Sequence, residues 1–350
     1  MLHWGIVGTG AIASDFAAAL SRSERCCAVD VVSSSPRKAQ AFAKRFGLYG
    51  YAESLDEMLA NPAVDAIYIA TPHAAHRNQA LASIAAGKHV LCEKPLTLDA
   101  ASSECVIDAA RRRGVFLMEG YMYRCHPLMR EVLTRLADGI IGRIHHLKAQ
   151  FGFDASGDRS GRLFDLALGG GSLLDVGGYP VSFARLLAGL VADLPFAEPL
   201  RMRGDLVFGP TGVDERALAD LTFASGFTAR VESAIAYDIG TAAVVYGDDG
   251  RLTVANPWLP GGQRDGLETS FSVFRSGRAP ETVVVRTSES IYAIEAALVA
   301  DTLPGTEAPW PAMSWADTLG NMRVLDRWRA GSDGSRSMAD LREGSSHSRH

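Results

Sequence analysis

A doubly wound α/β domain followed by a second domain built on a large, mostly antiparallel sheet is the fold class this sequence predicts. Three observations predict it. Over residues 1–120 short apolar runs alternate with helical stretches, the signature of βαβ units and a parallel sheet. From 198 to about 287 the chain changes to longer runs rich in Val, Thr, Phe and Tyr, separated by short Gly/Asp turns. At 350 residues it also exceeds the size at which one hydrophobic core usually keeps growing, so two domains are expected.

The elements follow in order. An apolar run at 2–7 leads through glycines into apolar residues at helical spacing over 12–21. A β-like run covers 26–32 and an amphipathic helix 36–46. Ser54 with Glu57 three residues on has the capping-box pattern and starts a helix over 54–59. A buried strand at 66–70 ends at Thr71-Pro72. A helix over 76–86 closes at Gly87, a strand covers 89–92, a helix over 100–113 closes at Gly114, and 115–118 is again strand. After Tyr121 the rhythm changes. A helix over 128–137 precedes a long strand at 145–153, a polar loop to Asp165 and a helix over 172–187. Runs at 217–223, 228–235, 242–246 and 282–286 read as strands, with Gly247-Asp248-Asp249-Gly250 as one of the turns between them. Helices over 289–302 and 315–329 close the fold. The domains are therefore expected at 1–120 and 121–330. A Gly/Ser-rich tail, 331–350, is expected to be mobile.

Composition narrows the function. Apolar residues are 47% and charged residues 21%, ordinary for a folded protein. A net charge of −5 gives no electrostatic reason to expect nucleic acid or an anionic membrane as partner. Cys26, Cys27, Cys92, Cys105 and Cys125 are odd in number and lack paired metal spacing, so no metal is expected and a reducing compartment fits. No secretory signal opens the chain, and no apolar run approaches the roughly 18 to 20 residues of a membrane helix. The cytoplasm is the expected location.

The first motif is Gly8-Thr9-Gly10-Ala11-Ile12-Ala13, set between the first strand and the first helix. Glycines there permit a tight turn and close backbone approach to a pyrophosphate, and the helix N-terminus adds unpaired N–H groups. In this context the motif reads as the phosphate cradle of a dinucleotide-binding Rossmann domain. The second strand ends in Ser33-Ser34-Ser35-Pro36-Arg37-Lys38 with no acidic residue at its tip, since Asp30 lies mid-strand. Ser33, Ser34 and Arg37 suit a 2′-phosphate, which favours NADP(H) and leaves NAD(H) possible. His73 and His76 have a metal-like spacing, but no carboxylate or cysteine cluster accompanies them; packing or contacts on the cofactor side are the better reading.

Two further clues concern chemistry. A strand ends in Glu93-Lys94-Pro95, and ligands of open α/β sheets bind at strand carboxyl ends. Gly169-Gly170-Gly171 then leads into Ser172-Leu173-Leu174-Asp175-Val176-Gly177-Gly178-Tyr179, which places Asp175 and Tyr179 on one helix face. Taken together, the glycine cradle, Thr71-Pro72 with His73 and His76, Glu93-Lys94-Pro95 and the GGG-x-L-x-D-x-G segment resemble the glucose–fructose oxidoreductase/inositol dehydrogenase (Gfo/Idh/MocA) family, over essentially the whole chain. The resemblance implies a Rossmann domain plus an α+β domain whose open antiparallel sheet often packs against a partner subunit, so a homodimer is expected. It implies that Thr71, Pro72, His73, His76, Glu93 and Lys94 lie at the cofactor. Lys94 would contact substrate and nicotinamide ribose and assist proton transfer, and Asp175 would bind substrate hydroxyls.

Where many members have His, this chain has Tyr179. With 118–127, that is similar to the subgroup of dihydrodiol dehydrogenase and NADP-dependent xylose dehydrogenase, and it places Tyr123 and Arg124 at the substrate cavity. Hydride transfer from a carbinol carbon needs a matching proton transfer at its oxygen. Free tyrosine and lysine side chains have pKa values of about 10 and 10.4, so a Tyr–Lys pair beside a nicotinamide has to share that task. The expected activity is hydride transfer between a nicotinamide and a secondary alcohol or carbonyl of a sugar, cyclic polyol or diol. The active site is expected where the two domains meet. Alternatives are an oxidoreductase that retains its nucleotide, against which the absence of an N-terminal arm speaks, and a non-catalytic dinucleotide sensor, which would not need Lys94, Asp175 and Tyr179.

Overall fold

The first third of the chain folds as the alternation predicts. It runs β1 (Leu2–Val7), α1 (Ala11–Leu20), β2 (Cys26–Val32), α2 (Pro36–Phe46), α3 (Leu55–Ala60), β3 (Ala66–Ile69), α4 (His73–Ala85), β4 (His89–Glu93), α5 (Ala100–Arg113) and β5 (Leu117–Gly120) in a computed structural model that describes residues 1–262 and 267–331. The five strands pair in parallel in the order β2-β1-β3-β4-β5. Every residue of β3 and all but the first of β4 are buried, as a sheet covered on both faces requires. Each Val or Ile so buried contributes about 1.5–3 kcal/mol of transfer free energy. The order reverses between β1 and β3, and ligands of such sheets bind at that switch point.

Local signals set most boundaries. Ser54 Oγ accepts from the Glu57 amide at 3.2 Å, and the Glu57 carboxylate reaches back to the Glu53 amide at 2.8 Å. Asp99 caps α5 by accepting from the Ser102 amide at 2.7 Å, and Gly114 ends it in the left-handed region at φ 70°. α4 starts three residues earlier than the spacing predicts, directly after Pro72, which has no amide hydrogen to leave unsatisfied. β5 starts two residues late because its register with β4 begins at Val90–Leu117. Its outer edge is covered from far along the chain: the Leu117 amide donates to the Thr306 carbonyl at 3.1 Å, and Trp315 Nε1 donates to the Leu117 carbonyl at 3.0 Å.

The rest of the chain runs α6 (Pro127–Ala137), β6 (Ile144–Asp154), a π-helical turn (Leu173–Gly177) continuing into α7 (Gly178–Ala192), then β7 (Pro199–Phe208), β8 (Asp214–Phe223), β9 (Thr228–Ala234), β10 (Ala236–Gly247), β11 (Gly250–Val254), β12 (Glu268–Arg275), β13 (Glu281–Arg286), α8 (Ile291–Thr302) and α9 (Trp315–Ala330). The strands form one sheet in the order β13-β12-β11-β10-β6-β9-β8-β7. β6 and β9 are parallel; β7–β8, β8–β9, β6–β10, β10–β11 and β11–β12 are antiparallel.

Register fixes the two faces. Val273, Leu252, Val245, Leu147, Ala229, Leu221 and Met202 stand opposite one another across seven strands, and all but Met202 are fully buried. The adjacent row, Ser272, Thr253, Val244, Lys148, Arg230, Asp220 and Arg203, is half-buried to exposed. A slip of one residue would exchange these rows, so the register is strongly specified.

Two compact units divide the chain. The first joins Met1–Val132 to described residues of Trp258–Ser270 and to Val284–Leu319; the second comprises Leu133–Pro257, Phe271–Val283 and the described residues from Gly320 on. Sequence periodicity alone assigns the 289–302 helix to the second domain. The structure packs α8 on α1 and β2 of the first unit, with Ile291, Tyr292, Ala296 and Val299 buried. Of the expected tail, residues 332–350 lie outside the described residues.

His126, just before α6, gives a test of this packing. It is buried, its Nδ1 accepts from the Leu128 amide at 3.0 Å, and burial lowers its pKa from 6.5 to about 4. The folded state therefore binds fewer protons than the unfolded chain between pH 6.5 and 4. Stability is complete above pH 6.5 and falls as the pH drops, by about 2 kcal/mol from this residue at pH 5. Urea midpoints at pH 7 and 5 should show a smaller acid loss for His126→Gln than for wild type. Equal losses would place the acid sensitivity elsewhere.

Candidate active site

The glycine cradle lies at the switch point. Gly8 follows β1 with φ 111°, and a Cβ there would stand 2.5 Å from the Ala70 carbonyl oxygen beyond β3, so only glycine fits. Gly10 precedes α1, whose first turn has no side-chain cap, and nothing stands within 4 Å of where its Cβ would be. The first-turn amides of α1 have no intrahelical partner, and a groove of about 650 Å³ beside this turn is lined by Thr9, Gly10, Ala11, Ser14, Arg45 and Phe46 among others. Thr9 Oγ1 lies 3.0 Å from Ser33 Oγ, joining the cradle to the end of β2. Ser34 and Arg37 are exposed just beyond. Asp30 stays mid-strand and buried, accepting from Asn61 Nδ2 at 3.2 Å. The turn fits a pyrophosphate because it is closed to any larger residue at 8 and open at 10.

The turns after β3 and β4 are tied together. His76 is fully buried, with Nδ1 2.8 Å from the Pro95 carbonyl oxygen and Nε2 2.9 Å from that of Thr71. Both ring nitrogens face backbone carbonyls, so His76 braces the loops that carry Thr71-Pro72 and Lys94-Pro95. His73 is buried beside it, and Thr71 Oγ1 donates to Gln79 Oε1 at 2.6 Å. Glu93 accepts from the Tyr68 hydroxyl at 2.6 Å, and Tyr68 stacks on Phe16 at 3.7 Å. Lys94 follows, half-buried.

Arg124 and Tyr123, the residues expected at the substrate cavity, are both buried. Arg124 is 1% exposed, with Nη2 2.7 Å from Asp317 Oδ2 and Nε donating to the Pro311 carbonyl at 2.6 Å. Tyr123 is fully buried, edge-on to Trp258 with ring centroids 5.3 Å apart. Those positions hold the 121–127 segment against the 306–319 segment. That burial supports a bracing role and gives no direct support to substrate contact.

In the second unit, the expected helix begins as a π-helical turn, a geometry frequent at functional sites. Asp175 lies on it, buried, with Oδ1 accepting from Arg162 Nη1 at 3.1 Å. Tyr179 is in the first turn of α7, 3% exposed and edge-on to Phe151 at 5.2 Å.

Several supporting residues carried no sequence signal. The Glu119 carboxylate accepts from the Leu96 amide at 2.9 Å and so anchors the loop after Lys94. Glu295 of α8 is fully buried, and burial, followed by the negative charge of Glu93, pushes its pKa well up. Asp214 lies under the start of the Asp175 turn. Among the described residues no group of three or more His, Cys, Asp and Glu is placed to hold a metal ion, and no helix is long and apolar enough to cross a membrane.

A turn that only glycine fits at the switch point of a parallel sheet, with Lys94 directly after β4, is the arrangement of a dinucleotide-binding domain. Comparison with known proteins agrees. Residues 2–121 match the oxidoreductase family with an NAD-binding Rossmann fold, and residues 129–253 match the GFO/IDH/MocA C-terminal domain. The chain belongs to the GFO/IDH/MocA family and is an NAD(P)-dependent oxidoreductase acting on CH–OH groups.

It is 35% identical over 261 residues to trans-1,2-dihydrobenzene-1,2-diol dehydrogenase of Mus musculus, covering 74% of this chain and 76% of that one. It is 35% identical over 256 residues to D-xylose 1-dehydrogenase (NADP(+)) 2 of Haloferax volcanii, covering 73% and 76%. A 3-ketoreductase from Actinomadura kijaniata, in complex with NADP and TDP-benzene, superimposes with a TM-score of 0.83 at 27% identity over 96% of this chain and 98% of that one. The aldose–aldose oxidoreductase of Caulobacter crescentus gives a TM-score of 0.82 at 25% identity over 98% of each.

Proposed function

We propose that this chain moves a hydride between NADP(H) and a secondary alcohol or carbonyl of a sugar or diol, with Lys94 and Tyr179 handling the proton and Asp175 holding a substrate hydroxyl. The observation that carries the reading is a nucleotide cradle only glycine can form, in a chain 35% identical to two dehydrogenases whose named substrates both bear vicinal hydroxyls. Solved structures of the Actinomadura 3-ketoreductase include a Lys→Ala and a Tyr→Phe mutant, which supports weighing a lysine and a tyrosine together. The bound nicotinamide supplies the hydride acceptor or donor. Gly8, Thr9, Gly10, Ala11 and Ile12 hold the pyrophosphate through backbone amides, and Glu93 with the Thr71-Pro72 turn lies on the cofactor side. Asp175, an acceptor already paired with Arg162, orients the substrate hydroxyl. As the carbinol carbon gives up its hydride, its oxygen gives its proton to the base of this pair, the Tyr179 phenolate or the neutral Lys94 amine. A panel holding D-xylose and the trans-dihydrobenzenediol, with NADP⁺ reduction followed by absorbance, tests the reading. Turnover of at least one vicinal hydroxyl compound is expected, and none with any member would overturn it.

The nucleotide preference rests on Ser33, Ser34 and Arg37 beyond β2 and on the missing acid at the strand tip. Calorimetry should show tighter binding of NADP(H) than of NAD(H), and Arg37→Ala should narrow the difference; tighter NAD(H) binding overturns the preference.

The same reading includes a homodimer formed through the outer face of the eight-stranded sheet, where half-buried Val244, Ala242 and Leu218 lie among charged neighbours. Light scattering at micromolar concentration should give twice 37.4 kDa, and a monomer alone would count against it. Five free cysteines suit a cytoplasmic enzyme, which cell fractionation checks.

A further inference from the structure

Asp214, at the start of β8, has no part in the chemistry assigned so far. It is buried, and its Oδ2 accepts from Ser172 Oγ and from the Leu173 amide, both at 2.7 Å. Ser172 Oγ also lies 3.0 Å from Ser233 Oγ on β9. Gly171 sits at φ 112°, and a Cβ there would run into Asp214 Oδ1, so glycine lets the chain pass directly over the carboxylate. The two bonds land on the first residues of the turn that presents Asp175 and leads to Tyr179. Glu215, the next residue, holds Arg159 at 2.8 and 3.2 Å. One dipeptide of β8 thus pins the 155–171 loop near its start and just past its end.

We propose that Asp214 is a positioning residue for the reaction, fixing the Leu173–Gly177 turn so that Asp175 and Tyr179 meet the substrate in one orientation. This rests on the assignment of Asp175 and Tyr179 above. Burial raises the Asp214 pKa to about 6, against the hydrogen bonds from Ser172 and Leu173, which favour the charged form. At pH 7 the carboxylate is ionised and makes charge-assisted bonds; below about pH 6 it is protonated and they weaken. Charged groups on the surrounding elements are engaged elsewhere: Glu215 with Arg159, Asp175 with Arg162, Glu232 of β9 with Arg216, and Asp154 of β6 with the Ser156 amide.

The test uses Asp214→Asn and Ser172→Ala in the full chain with NADP⁺ bound and D-xylose or the trans-dihydrobenzenediol as substrate. Both variants should lose about tenfold or more in kcat/KM with NADP(H) affinity unchanged, the scale expected when reacting groups are misplaced. Wild-type kcat should fall on the acid side with an apparent pKa of about 6, and Asp214→Asn should lack that limb. Amide exchange across 171–179 should quicken in both variants while the β1 and β3 peptides stay protected. If Asp214→Asn does not fold, Ser172→Ala decides. Faster exchange with kcat/KM intact overturns the proposal, since the brace would then be structural only; unchanged exchange overturns it too. If Asp175→Asn and Tyr179→Phe match wild type, the site assignment fails first and takes the proposal with it. If those two are impaired while the Asp214 and Ser172 variants are not, only the proposal fails.

Discussion

Lys94→Ala should lower kcat by about 10²-fold or more, the usual scale for a group that assists proton transfer, while NADP(H) affinity changes little. The separation follows from where the two tasks reside. In the proposed site the pyrophosphate would lie against backbone amides at the start of α1, whereas Lys94 follows β4 in a loop braced by His76 and Glu119. Tyr179→Phe removes only a hydroxyl from a side chain packed edge-on to Phe151, so its fold should survive and its kcat should fall on the same scale. Asp175→Asn keeps the shape and one acceptor, and should mainly raise KM. Steady-state kinetics with calorimetric nucleotide titration separates these outcomes. If Tyr179→Phe turns over normally while Lys94→Ala is inactive, the tyrosine only positions substrate and lysine acts alone.

The second large effect is on stability. Arg124→Met should cost about 3–5 kcal/mol, because it takes the guanidinium away from the buried Asp317 carboxylate. That is a sizeable share of the 5–15 kcal/mol typical of a folded protein. The double variant Arg124→Met with Asp317→Leu should regain much of the loss, since neither charge then remains. Thermal melts of the three proteins provide the check. A single variant that melts with wild type would show that the pair does not brace the 121–127 segment.

α5 was legible to the residue, because its Asp99 cap and its Gly114 terminator are local in the chain. β5 was displaced by two residues because its start is set by pairing with β4, which periodicity does not encode. Gly8, Lys94 and Asp175 were legible as motif residues, each following a strand or a glycine run. The ion pair of Arg124 was not legible, because Asp317 stands 193 residues away. Asp214 was invisible for the same reason, lying 42 residues from Ser172 at the head of an ordinary strand. The π-helical turn was read as plain helix, since nothing in 173–177 distinguishes the two hydrogen-bond patterns.

Isotope tracing is the sharpest check on hydride transfer between a carbinol carbon and the nicotinamide. D-xylose or the trans-dihydrobenzenediol, deuterated at the carbinol carbon, is incubated with the protein and NADP⁺, and the nucleotide is examined by mass spectrometry. Wild type should form NADPH carrying the label, and Lys94→Ala almost none. Nucleotide that binds yet stays unreduced, or NADPH formed without label, would contradict hydride transfer.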